Sequence, residues 1–249
     1  FGVLSVDPDY RVTAFDEKPS NPQPVPGSPD TALASMGNYV FDSEFLYQLL
    51  EQDAADPASL HDFGMDLIPA IIKTCDVYAF PFRDPDTGSQ PYWRDVGTLD
   101  AFWEANMGLV DVTPELNLYD EDWPVLTYQR QLPSAKFVFR DRNREGKALD
   151  SIVSGGCIIS GASLERALLF SSVRVHSYSE VSESVLLPEV DVGRNCRIRR
   201  AIVDRGCRLP EGTVIGEDPE IDAQRFRVTE GGVVLVTPEM LGQKVQKSD

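Results

Sequence analysis

Three short stretches place reactive side chains where phosphate chemistry is feasible. In Phe15-Asp16-Glu17-Lys18-Pro19 a carboxylate and an ammonium stand side by side just after a strand-like run. Lys18 is a compact cation suited to a phosphate oxygen, and Glu17 can accept hydrogen bonds from vicinal hydroxyls. The plainer reading of the pair is an exposed ion pair at a strand end. Ala34-Ser35-Met36-Gly37-Asn38-Tyr39 sets a small hydroxyl, Ser35, beside a glycine, where a ligand can approach the backbone closely. Trp93-Arg94-Asp95-Val96-Gly97-Thr98 sets one acid, Asp95, between an aromatic wall and a glycine turn. A lone aspartate there could hold Mg2+, which takes one or two carboxylates and otherwise uses substrate phosphates.

Two other groups have simpler explanations. His61-Asp62-Phe63-Gly64 carries the letters of a kinase metal motif, but neither the catalytic loop nor the glycine-rich loop that accompanies it is present. Asp62 reads instead as a start signal for a helix at Asp66. His176 could act as the base of a hexapeptide acyltransferase, yet a single histidine beside Ser177 and Tyr178 reads as a surface corner.

The elements that must carry these residues fall into two halves. The second half is a repeat of period 17. Ile152, Leu169, Leu186 and Val203 form one aliphatic column, Ile158, Val175, Val192 and Leu209 a second, and Leu164, Val181, Ile198 and Ile215 a third. Steps of 6, 6 and 5 residues within each turn predict a hexapeptide-type parallel β-helix, a triangular prism with one aliphatic side chain per column per coil. Antiparallel hairpins would show a period of two instead.

The same lattice sorts six clustered arginines, Arg194, Arg197, Arg199, Arg200, Arg205 and Arg208. Residues 17 apart lie one strand spacing apart, about 4.8 Å. Arg166, Glu183 and Arg200 then make one alternating column, Arg174, Asp191 and Arg208 another, and Glu180 lies under Arg197. Such exposed pairs are worth about a few tenths of a kcal/mol each. Arg199 has Ser182 and Gly216 as its vertical neighbours, and Arg205 has Pro188 and Asp222, the latter beyond the regular turns. These two are the better candidates for an anionic ligand.

The first half reads as part of an α/β layer. Strands are expected over 2–6, 11–15, 33–41 and 77–82, and helices over 44–50, 66–73 and 99–109, the last capped by Thr98. The expected domains are 1–110 (sheet), 111–148 (connector) and 149–249 (β-helix and tail). Charge separates the halves. Residues 1–125 hold 23 Asp+Glu against 5 Lys+Arg and residues 126–249 hold 17 against 18, together giving the net charge of −17. An acidic chain argues against a nucleic-acid partner. No apolar run reaches the roughly 18 residues of a membrane span. Four cysteines without CxxC spacing and two histidines disfavour a zinc site and fit a reducing cytoplasm. The opening Phe1-Gly2-Val3-Leu4 reads as starting inside an element, which suggests a longer parent chain.

Taken in order, FDEKP, LASMGNYVFD, HDFGMDLIP, PYWRDVGTL, IVSGGC, SVLLPEVDVG and AIVDRGCRLPEGTVIG resemble the C-terminal portion of bacterial glucose-1-phosphate adenylyltransferases, along essentially the whole chain. The resemblance implies a partial nucleotidyltransferase (Rossmann-like) sheet domain followed by a left-handed parallel β-helix. It implies transfer of AMP from ATP to glucose 1-phosphate, with Mg2+, in a cytoplasmic, allosteric homotetramer serving glycogen synthesis. Lys18 would grip the sugar phosphate, Glu17 the sugar hydroxyls, and Ser35 the glucose. Asp95 would be one of two metal-binding aspartates and the catalytic acid group of this half. Arg205 would bind an anionic effector, with Arg199 beside it from the lattice. The glycine-rich ATP loop and the second aspartate of the family are not matched, so this stretch alone is expected to be inactive. Pro238 and Gly242 stand where arginines are expected, which leaves the activator open. A regulatory or assembly subunit is the alternative, and an acyltransferase using His176 a more distant one.

Overall fold

The protein is described by a computed structural model covering residues 2–141 and 144–244, so the ends of the expected first and last domains (Phe1 and 245–249) lie outside the described residues. The chain divides into two compact units, residues 1–91 and 92–249.

In the first unit Gly2–Val6 (β1) pairs antiparallel with Val12–Glu17 (β2) on one side and Leu33–Ala34 (β3) on the other. Asp7 closes the β1–β2 turn by accepting the amides of Asp9 and Arg11 at 2.9 and 3.0 Å. The strand expected over 33–41 shrinks to two residues, and that over 77–82 to a single bridge between Arg11 and Tyr78. Alternation allows a strand, but a strand exists only beside a partner, and residues 35–41 have no ladder neighbour among the described residues.

Helix Ser43–Ala54 (α1) starts where Asp42 accepts the Phe45 amide at 3.0 Å, and it runs four residues past the expected end. The helix expected over 66–73 is a π-type turn over Phe63–Leu67 followed by the short helix Ile68–Ile71 (α2). Asp62 caps this turn through Gly64 and Met65, so the start lies earlier than the sequence suggests. Phe15, Ile68 and Ile71 form the core, joined by Leu4, Phe41, Phe45 and Leu49.

The second unit is dominated by three sheets of five, six and five strands, one per face of a prism, parallel throughout except for one edge strand of the six-stranded sheet. Its interior is mostly aliphatic, with Cys157, Cys196 and Cys207 among the buried residues. Leu164, Val181, Ile198 and Ile215 stack in register as expected. The other two columns need one correction each. Val153 pairs with Leu169, and Ile159 with Val175, so Ile152 and Ile158 lie one residue off the stacks. The cause is a five-residue step from Ile159 to Leu164 where later coils use six. Gly161 makes that corner at φ 68°, and a Cβ there would lie 2.3 Å from Arg144.

Corners recur once per face. Several are non-glycine residues in left-handed backbone, including Arg166, Glu183 and Arg200 at φ 47–48°. A fully buried leucine such as Leu186 fills one layer of the prism. Leu186→Ala is therefore expected to lower stability by about 2–5 kcal/mol in a urea melt.

Helix Leu99–Gly108 (α3) belongs to this unit. Its Trp103 and Met107, with Val110, cover Leu168, Val185 and Ile202 on the outside of the six-stranded sheet. Helix Pro219–Ala223 (α4) and the antiparallel edge strand Arg227–Val228 finish the last coil. There Asp222 accepts the Gly216 amide at 2.7 Å, and Arg225 donates to the Val214 carbonyl at 2.8 Å. The Gln243 side chain meets both the amide and the carbonyl of Arg208, at 3.0 and 2.6 Å.

Candidate active-site residues

The sheet of the first unit brings three predicted residues together around one backbone position. Gly2 lies opposite Glu17 on β2, and its carbonyl accepts the Ser35 amide at 2.8 Å on the other side. Glu17 and Ser35 thus flank the start of β1, with Lys18 next in the chain. A Cβ on Gly2 would lie 2.3 Å from the Phe15 ring, so any larger residue there requires that ring to move. Lys18 is left-handed at φ 48°, which turns the chain sharply out of β2. Its ammonium is 3.9 Å from the Glu17 carboxylate and 79% exposed, a loose pair that leaves the cation available.

Sequence reasoning missed what holds Ser35. Its hydroxyl lies 3.0 Å from the Tyr39 hydroxyl and accepts the Gly37 amide at 3.2 Å. The Tyr39 ring stacks on Phe63 at 5.6 Å between centroids. Phe63 is fixed in turn by the Asp62-capped turn. Both residues sit inside quoted motifs, but their pairing joins segments 24 residues apart, and periodicity carries no signal for it.

Asp95 belongs to the second unit. One of its oxygens accepts the Gly97 amide at 3.1 Å, and the other makes no hydrogen bond among the described residues. Thr98 then caps α3 through the Ala101 amide at 3.2 Å. No group of three or more His, Cys, Asp or Glu able to hold a metal occurs among the described residues. One exposed carboxylate with a spare oxygen fits a hard cation whose remaining ligands are phosphates, and not a self-contained protein cage.

On the prism, the arginine expectations need correcting. Arg199 does have an acidic partner: it donates to Glu183 at 3.1 Å. Arg205 lies 3.8 Å from Glu189, which also meets Arg130 at 3.3 Å. Both acids are corner residues 16 positions away, which a 17-residue rule skips. Arg166 turns to Asp111 and Arg200 to Trp103, in place of the expected Glu183 column. Glu180 does lie opposite Arg197 in the register, but the two-point contact of Arg197 is with Glu217, and it holds the exposed Glu217 carboxyl below its usual range. Arg174, Asp191 and Arg208 do stack in register, and the Asp191 side chain pairs with His176 at 2.8 Å in a part-buried contact between neighbouring coils.

All four cysteines are free, and Cys157, Cys196 and Cys207 are buried. Burial raises these three thiols, Cys207 to about 12, so they stay protonated at neutral pH. A thiol reagent is expected to label only Cys75 in the folded chain, and all four sites after denaturation; mass spectrometry reads the count.

Residues 1–112 match the family "Nucleotidyl transferase", and residues 133–236 match "GlmU-like, C-terminal hexapeptide". A glucose-1-phosphate adenylyltransferase 2 of Pseudoalteromonas atlantica is 62% identical over 246 residues. The glucose-1-phosphate adenylyltransferase of Nitrosococcus oceani is 61% identical over 245 residues. The chain belongs to the glucose-1-phosphate adenylyltransferase family. In each of these two alignments 98% of the chain is covered, and the chain spans 58% of the relative's length. The family assignment gives the prism its type, the left-handed hexapeptide β-helix. Nucleotidyltransferases as a class work with a divalent metal. No helix among the described residues is long and apolar enough to cross a membrane.

Proposed function

We propose that the complete protein transfers AMP from ATP to glucose 1-phosphate, releasing pyrophosphate and yielding ADP-glucose for glycogen synthesis in the cytoplasm. The observation that supports this reading is that Glu17 and Ser35 flank Gly2 on either side at one end of the sheet, with Lys18 next to Glu17 in the chain. A phosphorylated hexose needs a cation for its phosphate and acceptors and donors for its hydroxyls, and these three supply them. Lys18 holds the phosphate, Glu17 accepts from sugar hydroxyls, and the Ser35 hydroxyl, oriented by Tyr39, contacts the glucose.

In the reaction an oxygen of the sugar phosphate bonds to the α-phosphorus of ATP, and the bond from that phosphorus to the bridging oxygen breaks, releasing pyrophosphate. Lys18 orients the attacking phosphate and offsets its charge. Asp95, through its spare oxygen, would hold Mg2+, whose chemistry is to neutralise the phosphate charge when bound. Arg205 and Arg199 are the proposed contacts for an anionic effector, which would displace Glu189 and Glu183 from them. The proposed assembly is a homotetramer.

The test is ADP-glucose and pyrophosphate formation from ATP, glucose 1-phosphate and Mg2+. The complete protein is expected to form both in equal amounts, and residues 1–249 alone to form neither. Robust turnover by residues 1–249, or a complete protein that ignores glucose 1-phosphate, would overturn the reading.

A further inference from the structure

We propose that Trp103 and Thr229 are positioning residues for Asp95: the β-helix, through helix α3, sets where the metal-holding carboxylate stands. This rests on the reading of Asp95 as a metal ligand. Asp95 lies three residues before Thr98, the cap of α3, and is tied to that turn through Gly97. Whatever fixes the first two turns of α3 therefore fixes the loop.

Those turns are bound to the prism at several points. The Trp103 indole N–H donates to the Glu183 carbonyl at 2.7 Å, at a left-handed corner. The next corner on the same face, Arg200, lays its guanidinium 4.1 Å from the centre of the Trp103 ring and donates to the Gly231 carbonyl at 3.0 Å. Asp100 accepts the Thr229 hydroxyl at 2.6 Å, and Thr229 Oγ1 accepts the Val233 amide at 3.0 Å. Gly231 closes over this carboxylate so tightly that a Cβ would lie 2.5 Å from Asp100 Oδ1. Packing of Trp103 and Met107 alone would hold the helix against the sheet but would let it slide along it. Directional bonds to two stacked corners and to the 229–233 turn remove that freedom.

The experiment uses the complete protein with Trp103→Phe, which keeps a ring and removes the N–H, and Thr229→Val, which keeps the volume and removes the hydroxyl. Amide hydrogen exchange over residues 94–101, measured without metal, is expected to quicken about tenfold in each variant. The Mg2+ concentration for half-maximal ADP-glucose formation is expected to rise about tenfold, while the KM for glucose 1-phosphate stays put. A purely structural defect would not separate those two constants. Unchanged exchange in both variants would overturn the anchoring. Faster exchange with an unchanged Mg2+ requirement would overturn the positioning role. Asp95→Asn is run alongside: an ordinary Mg2+ dependence there would refute the metal-ligand reading itself.

Discussion

Replacing Lys18 by alanine in the complete protein is expected to raise the glucose 1-phosphate concentration for half-maximal velocity by roughly 10–100-fold, with a far smaller loss of turnover. The size follows from deleting one charge-assisted contact, about 1.5–3 kcal/mol, at 1.4 kcal/mol per tenfold. The ammonium is exposed and its one ion pair among the described residues, to Glu17, is long, so little folding energy is at stake. The left-handed turn at Lys18 is a backbone property that alanine must also adopt, at a cost of about 1–2 kcal/mol. Lys18→Arg therefore serves as a partner variant. It keeps the charge and loses the compact geometry, and intermediate sugar-phosphate dependence is expected. Saturation curves that do not shift for the alanine variant would remove Lys18 from the phosphate site.

The second large effect is on turnover. Asp95→Ala is expected to cut it by about 10³-fold, some 4 kcal/mol of transition-state stabilisation, with the glucose 1-phosphate dependence little changed. The surrounding loop survives the change, because Thr98 still caps α3 and Asp100 still meets Thr229. Equal losses in both constants would place Asp95 in substrate binding instead.

The prism was legible in the sequence because an aliphatic column repeats wherever every coil has the same length. The misplacement of Ile152 and Ile158 shows the limit. Both have an aliphatic neighbour, Val153 and Ile159, so composition could not choose between adjacent registers across a shortened corner. A fourth column, Leu168, Val185 and Ile202, was also present, and it marks the outer face that α3 covers. Local signals such as the Thr98 cap of α3 were readable. In the first unit the strands over 2–6 and 11–15 were readable too, but the extents of those over 33–41 and 77–82 were not, because they depend on partners elsewhere in the chain. The candidate site divides likewise: residue types nominated Glu17, Lys18 and Ser35, but only the β2–β1–β3 register sets Glu17 and Ser35 on either side of Gly2. Arg199 and Arg205 lost their apparent isolation because corner acids reach sideways, a direction that column arithmetic ignores.

The final coil ends with its main chain already occupied. A reversed strand, Arg227–Val228, borders one sheet; a glutamine amide imitates a strand against Arg208 on the next; an aspartate and an arginine take up Gly216 and Val214 on the third. Open sheet rims invite other chains to add strands; among the described residues two of the three rims are taken up by side chains, and the third ends in a strand of only two residues. Blunted in this way, the rim disfavours the addition of a further strand from another chain, which guards the stacked coils against runaway growth.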